Sequence, residues 1–163
     1  MKEKQIKKMI LISELSKIDS CSPKIADLAS KLNIANSTIH YNIKKLEEQS
    51  KILGYKAVFN YKKVKRGFCA FALMKLDGKY YEDLDSWNKF GKMLASNEAV
   101  ESVDVVTGEW EFIVKIRAQD QDEYWVKLQN VIKDVPIIKV NSMISIRQLK
   151  SEYTLIPESD VTE

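Results

Sequence analysis

Between Asn36 and Lys45 the chain reads NSTIHYNIKK, a run of side chains suited to gripping and reading nucleic acid. On a helix, Ile39, Ile43 and Leu46 share one face, which turns Asn36, Ser37, His40, Tyr41 and Lys44 outward. Asn36 or Asn42 has the paired donor and acceptor that match an adenine edge. Thr38 can touch a thymine methyl or a phosphate, while Lys44 and Lys45 suit the phosphate backbone. The motif contains no arginine, the residue that most often contacts guanine directly, so an A·T-rich site read partly through shape is expected. His40, the only histidine, fits a surface or DNA-facing polar group better than a catalyst. The bland alternative is an ordinary helical hairpin with a solvated polar face.

These residues need a scaffold, and the flanking sequence predicts one. Ser22 is a candidate N-cap followed by Pro23 at a first helical position, and Ile25, Leu28, Ala29 and Leu32 fall on one face of the helix that follows. Asn33-Ile34-Ala35 then interrupts the periodicity, and asparagine tolerates the left-handed backbone of a sharp turn. Two amphipathic helices across so short a break read as a helix-turn-helix, with Ser22 near the DNA as well. Residues 4–18 predict a preceding helix carrying Ile6, Met9, Ile10 and Leu15, broken by Asp19-Ser20-Cys21-Ser22. Ile52–Tyr61, rich in β-branched and aromatic residues, predicts a strand with a turn near Gly54, either a wing or a connection. Lys56 on it could contact phosphate or simply be solvated. Tyr61–Gly67 is basic and reads as a linker, although its charges could equally reach the phosphate backbone.

Charge divides the chain in the same place. Residues 1–66 carry 15 Lys and Arg against 6 Asp and Glu, a net +9, whereas residues 67–163 carry 11 against 17, a net −6. A positive field favours approach to phosphates, and a domain that binds protein or a small molecule does not need one. Cys21 and Cys69 lie far apart and only one histidine is present, so neither a zinc site nor a disulfide framework is expected, and no cofactor is. With no charged-then-apolar leader and no apolar run of bilayer length, a cytoplasmic, nucleoid-associated protein without a membrane partner is expected.

The second half predicts the order βαββαβ: strand Phe68–Leu76, helix Leu84–Ala95, strands Val100–Thr107 and Glu111–Ala118, helix Gln121–Val135 and strand Ile138–Leu149. The expected class is α+β, with a helix-turn-helix domain, winged if the Ile52–Tyr61 strand pairs, and a ferredoxin-like domain whose antiparallel sheet carries both helices on one face. The expected boundaries are 1–51, a connecting strand and linker over 52–67, 68–150, and a tail over 151–163. The first strand is apolar on both faces, with Phe68, Ala70, Ala72, Met74 and Leu76 against Cys69, Phe71 and Leu73. In the last, Ile138, Val140, Ile144 and Ile146 read as one row, and Ile137, Met143 and Leu149 fall in the other. A second apolar face implies cover by another subunit.

With these elements in this order, the chain resembles the Lrp/AsnC, or feast/famine, family of prokaryotic transcriptional regulators over about residues 5–150. The resemblance rests on LASKLNIANSTIHYNIKKLEEQS, ILGYKAVFNY and the run Val106-Thr107-Gly108-Glu109-Trp110-Glu111. It departs from the family pattern at Ala35 (often serine), Asn42 (often arginine), Ser50 (usually glycine) and Glu111 (aspartate). The resemblance implies a non-enzymatic regulator of double-stranded DNA, a homodimer joined through its βαββαβ domains, often octameric, with an amino-acid effector. It places Thr107, Gly108, Glu109 and Glu111 beside the effector, with Ser142 a polar neighbour; bare backbone permissiveness also accounts for Gly108, and Trp110 could anchor an interface. Two other functions share parts of this pattern. A sirohaem decarboxylase-like enzyme would want histidines and arginines in the second half, which has no histidine and only Arg117 and Arg147. A low-specificity architectural DNA-binding protein would need only the basic half.

Overall fold

A computed structural model of the chain describes residues 10–17, 19–80 and 84–149. The chain divides into two compact units, Met1–Phe59 and Asn60–Glu163. Part of the helix predicted over 4–18 and the tail predicted over 151–163 lie outside the described residues.

In the first unit, residues 10–15 are helical (α1), followed by α2, Ile25–Leu32, and α3, Asn36–Glu48. Helix α2 starts later than the sequence suggests. The residue before a proline is held extended, and the Pro23 carbonyl accepts the Ile25 N–H at 3.0 Å, so Lys24 becomes the N-cap and Ser22 caps nothing. Asn33 takes the left-handed conformation expected of it (φ 55°), and the Ile34 N–H closes back onto the Ala29 carbonyl at 3.0 Å. Ala29 and Ile39 form the buried contact between the helices, with Ile25 and Ile43 half-buried around it. Leu32, placed inward by periodicity, is 55% exposed, and Leu28 is exposed too. A unit this small has little interior to offer.

The strand predicted over Ile52–Tyr61 does not form. Its alternation is visible as half-buried Tyr55, Ala57 and Phe59 between exposed Lys56, Val58 and Asn60. A strand also requires a neighbour for its N–H and C=O groups, and here the Ala57 N–H goes to the Leu15 carbonyl of α1 at 3.0 Å instead of into a ladder. Among the described residues the first unit therefore carries no wing hairpin.

The second unit opens with a turn over residues 61–65 and continues as β1 (Phe68–Leu76), α4 (Leu84–Ala95), β2 (Val100–Val105), β3 (Phe112–Ala118), α5 (Gln121–Ile132) and β4 (Ile137–Ile144). The strands pair antiparallel in the order β2-β3-β1-β4, the ferredoxin-like arrangement. Ala70, Ala72, Met74 and Leu76 of β1 and Phe112, Val114, Ile116 and Ala118 of β3 form one fully buried row. Phe90 and Leu94 of α4 and Tyr124, Leu128 and Val131 of α5 pack over it.

Pairing corrects the face assignment of β4. Register places Val140, Ser142 and Ile144 opposite Met74, Ala72 and Ala70, and a bulge at Lys75/Leu76 then brings Ile137 into the core row. Ile138 is exposed instead, and the strand ends at Ile144, leaving Ile146 and Leu149 outside it. The opposite sheet face carries Phe71, Leu73, Ile113 and Met143, none of them buried.

Helix α5 starts on a reciprocal cap: Asp120 accepts the Glu123 N–H at 2.9 Å, and Glu123 reaches back to the Gln119 N–H. Glu123 also pairs with Arg66 at 3.3 Å and Lys127 at 3.1 Å. Partial burial pushes its carboxyl up, but the Gln119 N–H, Lys127 and Arg66 outweigh that and hold it below the usual carboxylate range. A carboxylate with a depressed native pKa contributes stability above its unfolded value of about 4.3, lost as pH falls through the native value. Urea unfolding from pH 6 to pH 3 is expected to show Glu123→Gln less stable than the wild type at pH 6, with the gap narrowing as pH falls.

Candidate nucleic-acid interface and the β2–β3 loop

Helix α3 presents the side chains that the sequence singles out. Asn36, Ser37, Thr38, His40, Tyr41, Asn42, Lys44 and Lys45 are all exposed, with Tyr41 at 64%. Burial of Ile39 and partial burial of Ile43 fix the helix's rotation, so the polar residues of its first two turns share the outer surface. Lys44 makes a long, exposed ion pair with Glu48 at 3.9 Å, which costs little to exchange for a phosphate. The N-cap is Ala35, without a side-chain cap, where the family pattern favours serine. At the far end Ser50 adopts φ 54°, the left-handed conformation for which the family uses glycine, and the Lys51 N–H bonds the Leu46 carbonyl at 2.9 Å.

Ser22 and Lys56 lie outside α3. Ser22 lines an open groove of about 420 Å³ with Cys21, Pro23, Glu47 and residues 52–55, where Tyr55 donates to Glu47 Oε1 at 2.9 Å. Lys56 is exposed on the extended segment.

In the second unit, Thr107, Gly108 and Glu109 form the exposed loop between β2 and β3. Gly108 has φ +118°, and a Cβ added there would meet nothing within 4 Å, so conformation rather than space requires glycine there. Lys139 pairs with Glu109 at 3.2 Å and lies 4.9 Å from the Trp110 ring centroid. No periodicity in the sequence marks Lys139, because its approach to the loop depends on the β1–β4 register.

Glu111 is 1% exposed and stands just before β3 rather than inside it. Its N–H donates to the Met74 carbonyl at 3.1 Å, and its Oε2 accepts the Leu76 N–H at 2.7 Å. The β1–β3 backbone ladder stops at Met74–Phe112, so the Glu111 side chain supplies the next rung. Oε1 is the buried side-chain polar atom among the described residues that has no partner. Ser142 is not brought to Glu111: its hydroxyl bonds that of Tyr124, inside a pocket of about 210 Å³ with Gln121, Trp125, Val140 and Ile144. Burial pushes the Tyr124 phenol up, partly offset by the Ser142 bond, so it remains a neutral hydroxyl at physiological pH. Among the described residues, no group of three or more metal-ligating side chains is close enough to hold an ion. No helix there is long and apolar enough to cross a membrane.

Removing the Glu111 rung leaves a buried N–H without a partner, at about 1–3 kcal/mol. Urea unfolding is expected to show Glu111→Ala destabilised by that amount and Glu111→Gln, which keeps an acceptor for Leu76, by less than half of it.

Residues 69–155 match the Lrp/AsnC ligand binding domain. An HTH-type transcriptional regulator of Pyrococcus furiosus is 29% identical over 144 residues, covering 88% of this chain and 93% of that protein. One from Pyrococcus horikoshii is 33% identical over 113 residues, covering 69% and 72% respectively. A feast or famine regulatory protein of M. tuberculosis, solved in complex with L-methionine, has the same fold, with a TM-score of 0.69, 22% identity and coverage of 82% and 87%. The helix-turn-helix of α2 and α3, the βαββαβ sheet and these matches together make the chain a member of the Lrp/AsnC family of DNA-binding transcriptional regulators.

Proposed function

We propose that the protein works as a homodimer, with dimers able to assemble further into octamers. It reads an operator with the outer surface of α3 and adjusts its occupancy to an amino acid bound beside the β2–β3 loop. The observation that carries the DNA reading is the outward display of Asn36, Ser37, Thr38, His40, Tyr41 and Asn42 by a helix whose inner face is fixed by Ile39. Asn36 and Asn42 specify bases, Lys44 and Lys45 position the backbone, and Ser22 and Lys56 add phosphate contacts at the edges of the same unit.

Support for the dimer comes from Phe71, Leu73, Ile113 and Met143, which leave an apolar sheet face without helices over it. The effector reading is supported by the buried, unpartnered Glu111 Oε1, an acceptor suited to an amino group, next to Thr107, Gly108 and Glu109. The relative from M. tuberculosis was solved with L-methionine, which favours amino acids as the effector class.

Selection of bound fragments from random DNA, with and without an amino-acid mixture, tests these points together. An A·T-rich consensus is expected, with recovery that changes when the mixture is present; a G·C-rich consensus contradicts the base-reading assignment. On the selected site, Asn36→Ala is expected to weaken binding by about 1–3 kcal/mol while leaving affinity for bulk DNA nearly unchanged.

A further inference from the structure

The segment predicted as a linker, Tyr61–Gly67, is instead an ordered turn built into the second unit. The Val64 N–H donates to the Asn60 carbonyl at 3.2 Å, the Arg66 N–H to the Tyr61 carbonyl at 2.8 Å, and the Lys63 N–H to Asn60 Oδ1 at 3.2 Å. Both ends are fastened. The Arg117 guanidinium lies 3.6 Å from the centre of the Tyr61 ring, and Arg66 pairs with Glu123 on α5. Lys65 takes φ 55°, an uncommon conformation for a lysine. A Cβ at Gly67 would sit 3.1 Å from Lys62 Cγ, so a larger residue there would make the lysine side chain shift by a few tenths of an ångström.

What this turn displays is charge. Lys62, Lys63 and Lys65 are exposed, and none has an acidic partner among the described residues, whereas the neighbouring Arg66 is drawn to Glu123. The three lysines stand on the unit of net negative charge, on an ordered backbone turn and without a carboxylate partner among the described residues. Lys62 follows the end of the helix-turn-helix unit, Phe59, by three residues, at most about 11 Å of chain. When α3 is seated on DNA, that tether keeps the lysines at high local concentration near the same duplex.

We propose that the Lys62–Lys63–Lys65 turn is a second DNA-binding surface that grips the sugar-phosphate backbone flanking the site read by α3. The inference rests on the regulator reading above. Each phosphate contact releases counterions and adds about 0.9 to the slope of log affinity against log salt. Arg66, the turn's strongest base-reading side chain, is engaged by Glu123, so the lysines contribute affinity with little sequence preference.

The test is fluorescence anisotropy of the full chain on its selected site across a salt series. Three proteins are compared: wild type, K62Q/K63Q/K65Q, and a control, K89Q/K92Q/K133Q, that removes three exposed lysines elsewhere on the same unit. The turn variant is expected to bind at least tenfold more weakly near 0.15 M salt, with a slope shallower by about 2 to 3 and an unchanged consensus, while the control stays near wild type. A turn variant with the wild-type slope, or a control that loses as much, overturns the proposal. Wild-type protein that selects no site overturns the regulator reading itself, a distinguishable failure.

Discussion

The second unit depends on the pairing of β1 on both sides. Its Ala70, Ala72, Met74 and Leu76 are buried between β3 and β4, beneath α4 and α5. Two alanines in the middle of this row leave room for Tyr124 and Leu128 of α5, and the same strand supplies the Leu76 N–H that Glu111 completes. The places of the β2–β3 loop, the Tyr124–Ser142 pair and Lys139 all follow from its register. One bulge, at Lys75/Leu76, brings Ile137 rather than Ile138 under the helices.

The first unit works on opposite terms. Among the described residues its interior is little more than Ala29 and Ile39, and several large apolar side chains are exposed. Its task is to hold a short polar helix at a fixed rotation, for which one well-placed isoleucine and a left-handed Asn33 are sufficient. Residues 1–59 carry 11 Lys and Arg against 6 Asp and Glu, a net +5 that favours approach to phosphates, and the polar side chains of α3 are the groups proposed to discriminate at contact.

Much of this was legible in the residues. Long-period and two-residue alternations identify α2, α3 and the βαββαβ order, because burial on one face is what such periodicity encodes. The Ile52–Tyr61 segment has the alternation of a strand but no neighbouring strand, a condition no local pattern reports. Ile137 and Ile138 exchange faces for a similar reason, since a bulge is a property of a pair. Tyr61–Gly67 reads as a linker by composition, yet Arg117 and Glu123, more than 50 positions away, fasten it. Glu111 was visible as a candidate, whereas its role as a side-chain rung emerges only once β3 is seen to begin one residue later.

The central claim is that α3 enters the major groove as one of two copies in a symmetric dimer. Hydroxyl-radical footprinting of the full-length protein on its selected site measures this most directly. Two protected half-sites related by symmetry are expected, with centres about one helical turn of DNA, or a small multiple of it, apart. Uniform protection without half-sites, or none under conditions where the protein retards the fragment, would contradict that claim.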